Sequence, residues 1–152
     1  MPMQRALVGK VYPPGEPYQV GREKVREFAA AIGETSPLCG DVAAARAAGY
    51  PDLVAPPTFA FVLTMRAMND AMFDPALGLQ YAMAVHGEQH FSYRRPIVAG
   101  DEISVTCTIA DIAVRGSNEV LTTRSELTDA RGELVATTSE VIVTRGTAAG
   151  AP

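Results

Sequence analysis

The longest run of apolar positions lies between Thr58 and Phe73, where eleven of sixteen residues are apolar and Phe59, Ala60, Phe61, Val62 and Leu63 leave no polar side. A surface helix carries an apolar stripe, whereas a helix apolar all round is wrapped by other protein. Residues 57–73 are therefore expected to form a buried central helix, with Pro57 at its first position, where proline is well tolerated. At roughly 24 Å for sixteen residues it can cross a small domain. Arg66, Asn69 and Asp70 make it too polar, and its length too short, to span a bilayer. Arg66 and Asp70 are spaced as an i, i+4 ion pair.

Upstream, Pro13, Pro14, Gly15 and Pro17 describe residues 1–17 as an extended lead-in. Tyr18-Gln19-Val20 can form a short strand. After Gly21, Val25, Phe28, Ala29 and Ile32 recur at helical spacing, and Gly33 is placed to end that helix. A long connection follows, in which Asp41 can cap a short alanine-rich helix reaching Ala48. Gly49, Pro51, Pro56 and Pro57 break up the rest. Connections this long inside a compact domain are often functional.

Downstream of Asp74-Pro75 the period changes from helical to alternating. Four segments rich in Val, Ile, Thr and Tyr read as strands, at residues 81–94, 102–114, 119–129 and 133–145. In the second, Ile103, Val105, Cys107 and Ile109 share one face. Turn signals at 98–101, 115–118 and 129–132 have hairpin length. A buried helix followed by an antiparallel meander has few packing solutions: the sheet curls its apolar face around the helix. The expectation is an α+β hot-dog fold in a single domain over residues 1–145, with 146–152 a flexible tail. Such a sheet leaves an open edge, commonly hidden by pairing with a second chain.

Composition narrows the function classes. A chain of 152 residues, 47% hydrophobic and 20% charged, supports one real core. The net charge of −4, without a Lys/Arg run, gives no footprint for nucleic acid. Cys39 and Cys107 sit in dissimilar contexts, and the opening MPMQRALVGK has no signal-peptide pattern, so reduced thiols in the cytoplasm are expected. Neither cysteines nor histidines are spaced as a metal site.

Four local strings carry a family resemblance: Ala31-Ile32-Gly33-Glu34-Thr35-Ser36-Pro37-Leu38-Cys39, Leu53-Val54-Ala55-Pro56-Pro57-Thr58-Phe59, His86-Gly87-Glu88-Gln89, and Arg95-Pro96-Ile97-Val98-Ala99-Gly100-Asp101. With the order helix, overhanging loop, central helix and strands, the chain from about Val8 to Arg145 resembles the MaoC-like, R-specific enoyl-thioester hydratases and dehydratases. The last two strings resemble the N-terminal hot-dog domain of two-domain members and the non-catalytic subunit of mycobacterial fatty-acid-elongation dehydratases. The resemblance implies a substrate carried as a CoA or acyl-carrier-protein thioester, no other cofactor, and a homodimer or a heterodimer with a second hot-dog protein.

Catalytic members carry an Asp and a His in that loop, which move the protons as water adds to or leaves the C=C bond beside the thioester. Imidazole suits the task near neutral pH. Here the matching positions are Glu34 for the Asp, Ser36 for an Asn and Cys39 for the His. A thiol, with a pKa near ~8.5, cannot hold an imidazole's relay. Catalytic relatives also have a His-Gly pair before the central helix, whose Gly N–H helps to hold the thioester oxygen. Here these are Pro56 and Pro57, and proline has no N–H. Losing one such donor costs roughly 10²–10³ in rate. Glu34 and Cys39 then read as a solvated carboxylate and a packed residue, as an unusual Glu/Cys site, or as substrate contacts without catalysis.

His86 and His90 fall on one strand face with Glu88, roughly 13 Å apart, too far for a shared metal ion. Val85, Phe91 and Tyr93 are the candidates for the opposite, helix-packing face, and Gly87 invites a bulge. Phe59, Phe61, Leu63 and Met65, with His86, are the candidates for an acyl-binding wall, although core packing explains the apolar ones equally well. Three functions stay open: a non-catalytic subunit beside an Asp/His-bearing partner, a self-sufficient homodimeric hydratase or thioesterase using Glu34, and a non-enzymatic acyl-thioester-binding protein.

Overall fold

In the computed structural model, which describes residues 2–148, the chain forms three helices and six strands. Strands β1 (Val11–Tyr12) and β2 (Tyr18–Gln19) precede helices α1 (Arg22–Ala31), α2 (Val42–Ala47) and α3 (Ala60–Met72). Strands β3 (Ala84–Tyr93), β4 (Glu102–Arg115), β5 (Asn118–Thr128) and β6 (Leu134–Thr144) follow. The antiparallel sheet runs β1-β4-β5-β6-β3, with β2 also on β4. It packs one face against α3, the α+β hot-dog arrangement.

Local chemistry accounts for the upstream helices. In α1, Val25 and Ala29 are buried and Phe28 partly so. Gly33 has φ +71°, and the Glu34 and Gly33 amides donate to the Ala29 and Ala30 carbonyls. That left-handed residue closes the helix as glycine does best. Ile32 falls outside the expected stripe; as the terminal residue it is half exposed. Asp41 caps α2 by accepting from the Ala43 and Ala44 amides. The lead-in is less extended than expected: it has a 3-10 turn at Arg5–Leu7, and Met3 and Tyr12 are buried under the far end of α3. Lys10 and Tyr12 both bond Asp74 there.

The central helix begins later and is less wrapped than its composition predicts. Pro57–Phe59 is a 3-10 turn, and the α-helical bonds start at Ala60. Leu63, Thr64, Met68, Ala71 and Met72 are buried, Phe61 and Val62 only partly, and Met65 is 42% exposed. The flank beside β3 is thus open in the single chain. Arg66 and Asp70 make no ion pair among the described residues.

The strands occur where alternation placed them, but their order is not a four-strand meander. β4, β5 and β6 follow one another as neighbours, whereas β3 pairs with β6 at the far edge. The 98–101 turn is therefore no hairpin. Pro96 cannot extend a ladder, and the segment crosses between the sheet's two sides, pairing with the loop before α3. Ala55 N–H donates to Ile97 O, Ala99 N–H to Leu53 O, and Val54 bridges Val98.

A bulge between His86 and Glu88 reverses the parity of β3. His86, Gln89, Phe91 and Tyr93 oppose Ile142, Glu140, Thr138 and Ala136, all buried on the helix-facing side. His86 therefore lies on the face opposite His90 and Glu88, not with them, and Val85 is turned outward and 41% exposed. A Cβ on Gly87 would sit 3.3 Å from Val141 O and Val143 Cγ2, so a side chain at the bulge would crowd the neighbouring strand. At the other end, Ala148 is buried with its amide on Ser117 O; the rest of the expected tail, 149–152, lies outside the described residues.

Candidate functional site

The loop–segment pairing that holds 53–55 against 97–99 also builds a cavity of about 410 Å³. Glu34, Ser36, Cys39 and Pro57, distant in sequence, line it together with Tyr93, Arg95 and Ile97. Residues singled out from two separate loops thus face one space. Val54 N–H donates to Leu38 O, tying the two loops directly.

Several polar groups around this cavity are engaged within the chain. Glu34 Oε1 accepts from the Ser36 amide at 2.8 Å, and Ser36 Oγ accepts from the Leu38 amide at 3.3 Å. These bonds hold the loop in shape, as such side-chain-to-backbone turns do. Cys39 is 6% exposed, and burial, then the Glu34 charge, pushes its thiol up. That direction favours the neutral thiol over the thiolate, the nucleophilic form. The Tyr93 hydroxyl donates to Pro57 O at the start of α3. Burial pushes that phenol up to about 12 against an opposing bond from the Ala60 backbone, so it stays protonated. Arg95 lines the wall, but its guanidinium is held by Asp101 at 2.8 and 3.1 Å and by Asp129 at 3.4 Å.

The helix start carries two prolines in succession. Neither Pro56 nor Pro57 can donate, and the carbonyl of Pro57 is taken by Tyr93. Among the described residues no three His, Cys, Asp or Glu are grouped to hold a metal ion. The cavity offers the Glu34 carboxylate, the Ser36 hydroxyl, a thiol, a neutral phenol and the Arg94 and Arg95 side chains among apolar residues. That set can receive an apolar group, and no histidine is among the lining residues.

The other candidates lie elsewhere. Phe59 is fully buried, edge-on to Phe28 at 5.4 Å and Tyr18 at 6.5 Å. Leu63 is buried at the floor of a second cavity of about 460 Å³ between α3 and β4. Phe61 and His86 pack on each other at 5.3 Å beside the β3 edge, and Met65 is exposed on α3. Tyr93 is the site residue that sequence reasoning assigned to packing alone. Its signal was its place as the last aromatic of a strand, directly before Arg94-Arg95-Pro96.

The chain matches the model of the FAS1-like dehydratase domain region over residues 6–138. It is 50% identical over 148 residues to a UPF0336 protein of Saccharopolyspora erythraea, covering 97% of this chain and 95% of that one. A UPF0336 protein of Streptomyces coelicolor is 48% identical over 145 residues, 95% and 97% of the two chains. Among solved structures, a MaoC-like dehydratase superposes with a TM-score of 0.87 at 35% identity. The match covers 93% of this chain but only 43% of that dehydratase, so the present chain spans less than half of it. The HadBC (3R-hydroxyacyl-ACP dehydratase) complex from Mycobacterium tuberculosis gives a TM-score of 0.82 at 28% identity, covering 90% of this chain and 96% of the matched one.

Proposed function

The chain belongs to the FAS1-like dehydratase-region family of MaoC-like hot-dog proteins, and from that premise we propose that it is the non-catalytic, acyl-binding subunit of an (R)-3-hydroxyacyl-thioester dehydratase or enoyl-thioester hydratase in fatty-acid metabolism. Its partner is a hot-dog protein with the intact Asp/His pair, and the substrate is a CoA or acyl-carrier-protein thioester. The observation that carries the reading is the single cavity on which Glu34, Ser36, Cys39 and Pro57 converge. The family frame is kept while the groups at its chemical positions are replaced. Hydration needs a proton taken and a proton given at neutral pH, and a buried neutral thiol supplies neither. Developing charge on the thioester oxygen needs preorganised donors, and two prolines stand at the helix start. The likeness to a chain of the HadBC complex supports a two-chain assembly.

The test is an assay of the purified chain on crotonyl-CoA and longer enoyl-CoA substrates, alone and mixed with an Asp/His-bearing hot-dog protein encoded nearby. Expected are no turnover alone, turnover in the mixture, and no effect of Glu34→Gln in the mixture beyond substrate affinity. Turnover by the chain alone, abolished by Glu34→Gln, would establish the second reading, a self-sufficient hydratase or thioesterase; the carboxylate on the cavity wall favours it. Binding of acyl-CoA with no turnover and no partner would leave a non-enzymatic acyl-thioester-binding protein.

A further inference from the structure

Polar chemistry also collects on the outer face of the sheet, away from the helices. A groove of about 500 Å³ there is lined by Ser92, Arg94, Arg124, Thr137 and Ser139, and no carboxylate is among its lining residues. Strand register brings these side chains together: Ser92 lies opposite Thr137, and Ser139 opposite Arg124. They alternate along β5 and β6 with Thr123, Ser125, Thr138 and Glu140, which are buried. Two guanidiniums and three hydroxyls run against the sign of a chain whose net charge is −4. Glu126 meets Arg124 at 3.3 Å, but both side chains are more than half exposed, and an exposed pair of this kind holds weakly. Arg94 takes part in no ion pair among the described residues. It also lines the cavity that holds Glu34 and Cys39. Arg94 directly follows β3, its amide donating to Val135 O, while the hydroxyl of the preceding Tyr93 donates to Pro57 O on the helix side. One arginine thus borders both spaces, at the edge strand of the sheet.

We propose that this outer groove holds the phosphate of the thioester's carrier arm, with Arg94 and Arg124 as its cationic walls. The inference rests on the thioester-binding reading and names the groups that hold the carrier. Thioesters of CoA and of acyl carrier protein share one phosphate, at the end of the pantetheine arm. Its oxygens match the planar fork of a guanidinium, which binds phosphate through paired N–H groups. The hydroxyls of Ser92, Thr137 and Ser139 supply further donors without adding charge. Two other arginines are excluded by their surroundings. The guanidinium of Arg95 is already taken by Asp101 and Asp129. Arg66 shares its cavity with Asp70 and Glu16, and two carboxylates there repel an anion. Arg94 is the arginine that borders the cavity and also faces a groove without acid groups. An arm whose thioester end occupies the inner cavity therefore meets its counter-charge at Arg94 as it leaves.

The experiment titrates the full chain by calorimetry with crotonyl-pantetheine, crotonyl-phosphopantetheine and crotonyl-CoA, and with inorganic phosphate as the free-anion probe. The variants are Arg94→Gln, Arg124→Gln and, as a control that removes the same charge at the end of β4, Arg115→Gln. All three arginines are exposed, and such surface changes leave stability nearly unaltered. The expected result is that crotonyl-phosphopantetheine binds at least tenfold tighter than crotonyl-pantetheine, by roughly the strength of charge-assisted hydrogen bonds. Arg94→Gln and Arg124→Gln should each weaken both phosphorylated thioesters roughly tenfold and leave crotonyl-pantetheine unchanged, while Arg115→Gln alters none of them. Equal affinity with and without the phosphate, or no binding of either, overturns the proposal. So does a loss confined to crotonyl-CoA, which would place the contact on its nucleotide, or inorganic phosphate binding as tightly as the phosphorylated thioester, which would make this a free-anion site. The turnover assay with the Asp/His-bearing protein keeps the two readings apart. Full turnover and affinity for crotonyl-CoA in an Arg94→Gln mixture refutes the phosphate site and leaves the dehydratase subunit standing. Phosphate-dependent binding without turnover in any mixture does the reverse.

Discussion

Replacing Glu140 by leucine is expected to destabilise the chain by about 2–3 kcal/mol, although leucine is apolar and the site is fully buried. Removing a buried ion can be neutral when its partners go with it. Here the partners stay. Thr123, Thr138 and Gln89 lose the acceptor to which they donate at 3.0, 2.7 and 3.1 Å. Each buried donor left unpaired costs about 1–3 kcal/mol. The two threonine hydroxyls can turn to nearby carbonyls and fall at the low end, while the amide of Gln89 is held by its strand. Relief of carboxylate desolvation offsets part of the sum. For a chain of this size each kcal/mol moves Tm by roughly 2–4 °C, so Glu140→Leu should melt roughly 5–10 °C lower by calorimetry. Glu140→Gln retains an acceptor for Thr138 and Gln89, and the Thr123 hydroxyl can turn to accept from the new amide; it should stay within about 1 kcal/mol of wild type. A leucine variant as stable as wild type, or a glutamine variant as damaged as the leucine one, refutes the reasoning.

Three further outcomes follow from other contacts. Asp74 is held near 2 by the Lys10 ammonium and then the Tyr12 hydroxyl, so its stabilisation is complete above the ordinary carboxylate value and is lost as pH falls toward 2; Asp74→Asn should flatten the stability profile between about pH 4 and 2 in acid titrations followed by circular dichroism. Phe59→Ala empties the fully buried centre packed by Phe28 and Tyr18 and should cost about 3–5 kcal/mol in urea denaturation. Gly87→Val forces its side chain against Val141 O and Val143 Cγ2 and should cost about 1–3 kcal/mol, whereas unchanged stability would show that β3 tolerates the bulge without glycine.

What the sequence could and could not disclose divides along the range of the interaction. Asp41 as a cap, Gly33 as a helix end and the alternation in β4 are decided within a few residues, and each is where the pattern placed it. The convergence of Glu34, Ser36, Cys39 and Pro57 was legible because two loops carried family strings. Strand order was not legible, since a turn at 98–101 says that the chain changes direction but not which edge it returns to. The face of His86 depended on one inserted residue, and a slip of one flips every side chain beyond it. Tyr93 was read on the correct face, but its role escaped because its hydroxyl partner is the backbone of Pro57, thirty-six residues away. The exposure of Met65 shows the limit of reading burial from composition, because a helix apolar all round can be wrapped by a second chain.

The distribution of unpaired hydrogen-bonding groups argues where this chain's work is done. At the cavity, Glu34 and Ser36 accept from amides of their own loop, the carbonyl of Pro57 accepts from Tyr93 on β3, and Arg95 is paired with two carboxylates. A catalytic centre usually keeps donors and acceptors poised for the transition state, at some cost in stability. An unmatched buried acceptor lies at Gln89, on the open edge strand, in front of a carboxylate network that fixes its direction. Hydrophobic exposure points the same way, with Met65 and the Phe61–His86 pair beside that edge. On the proposed reading, this edge is where a second chain would join, and the chemistry would rest with a partner that brings the imidazole and the free backbone N–H.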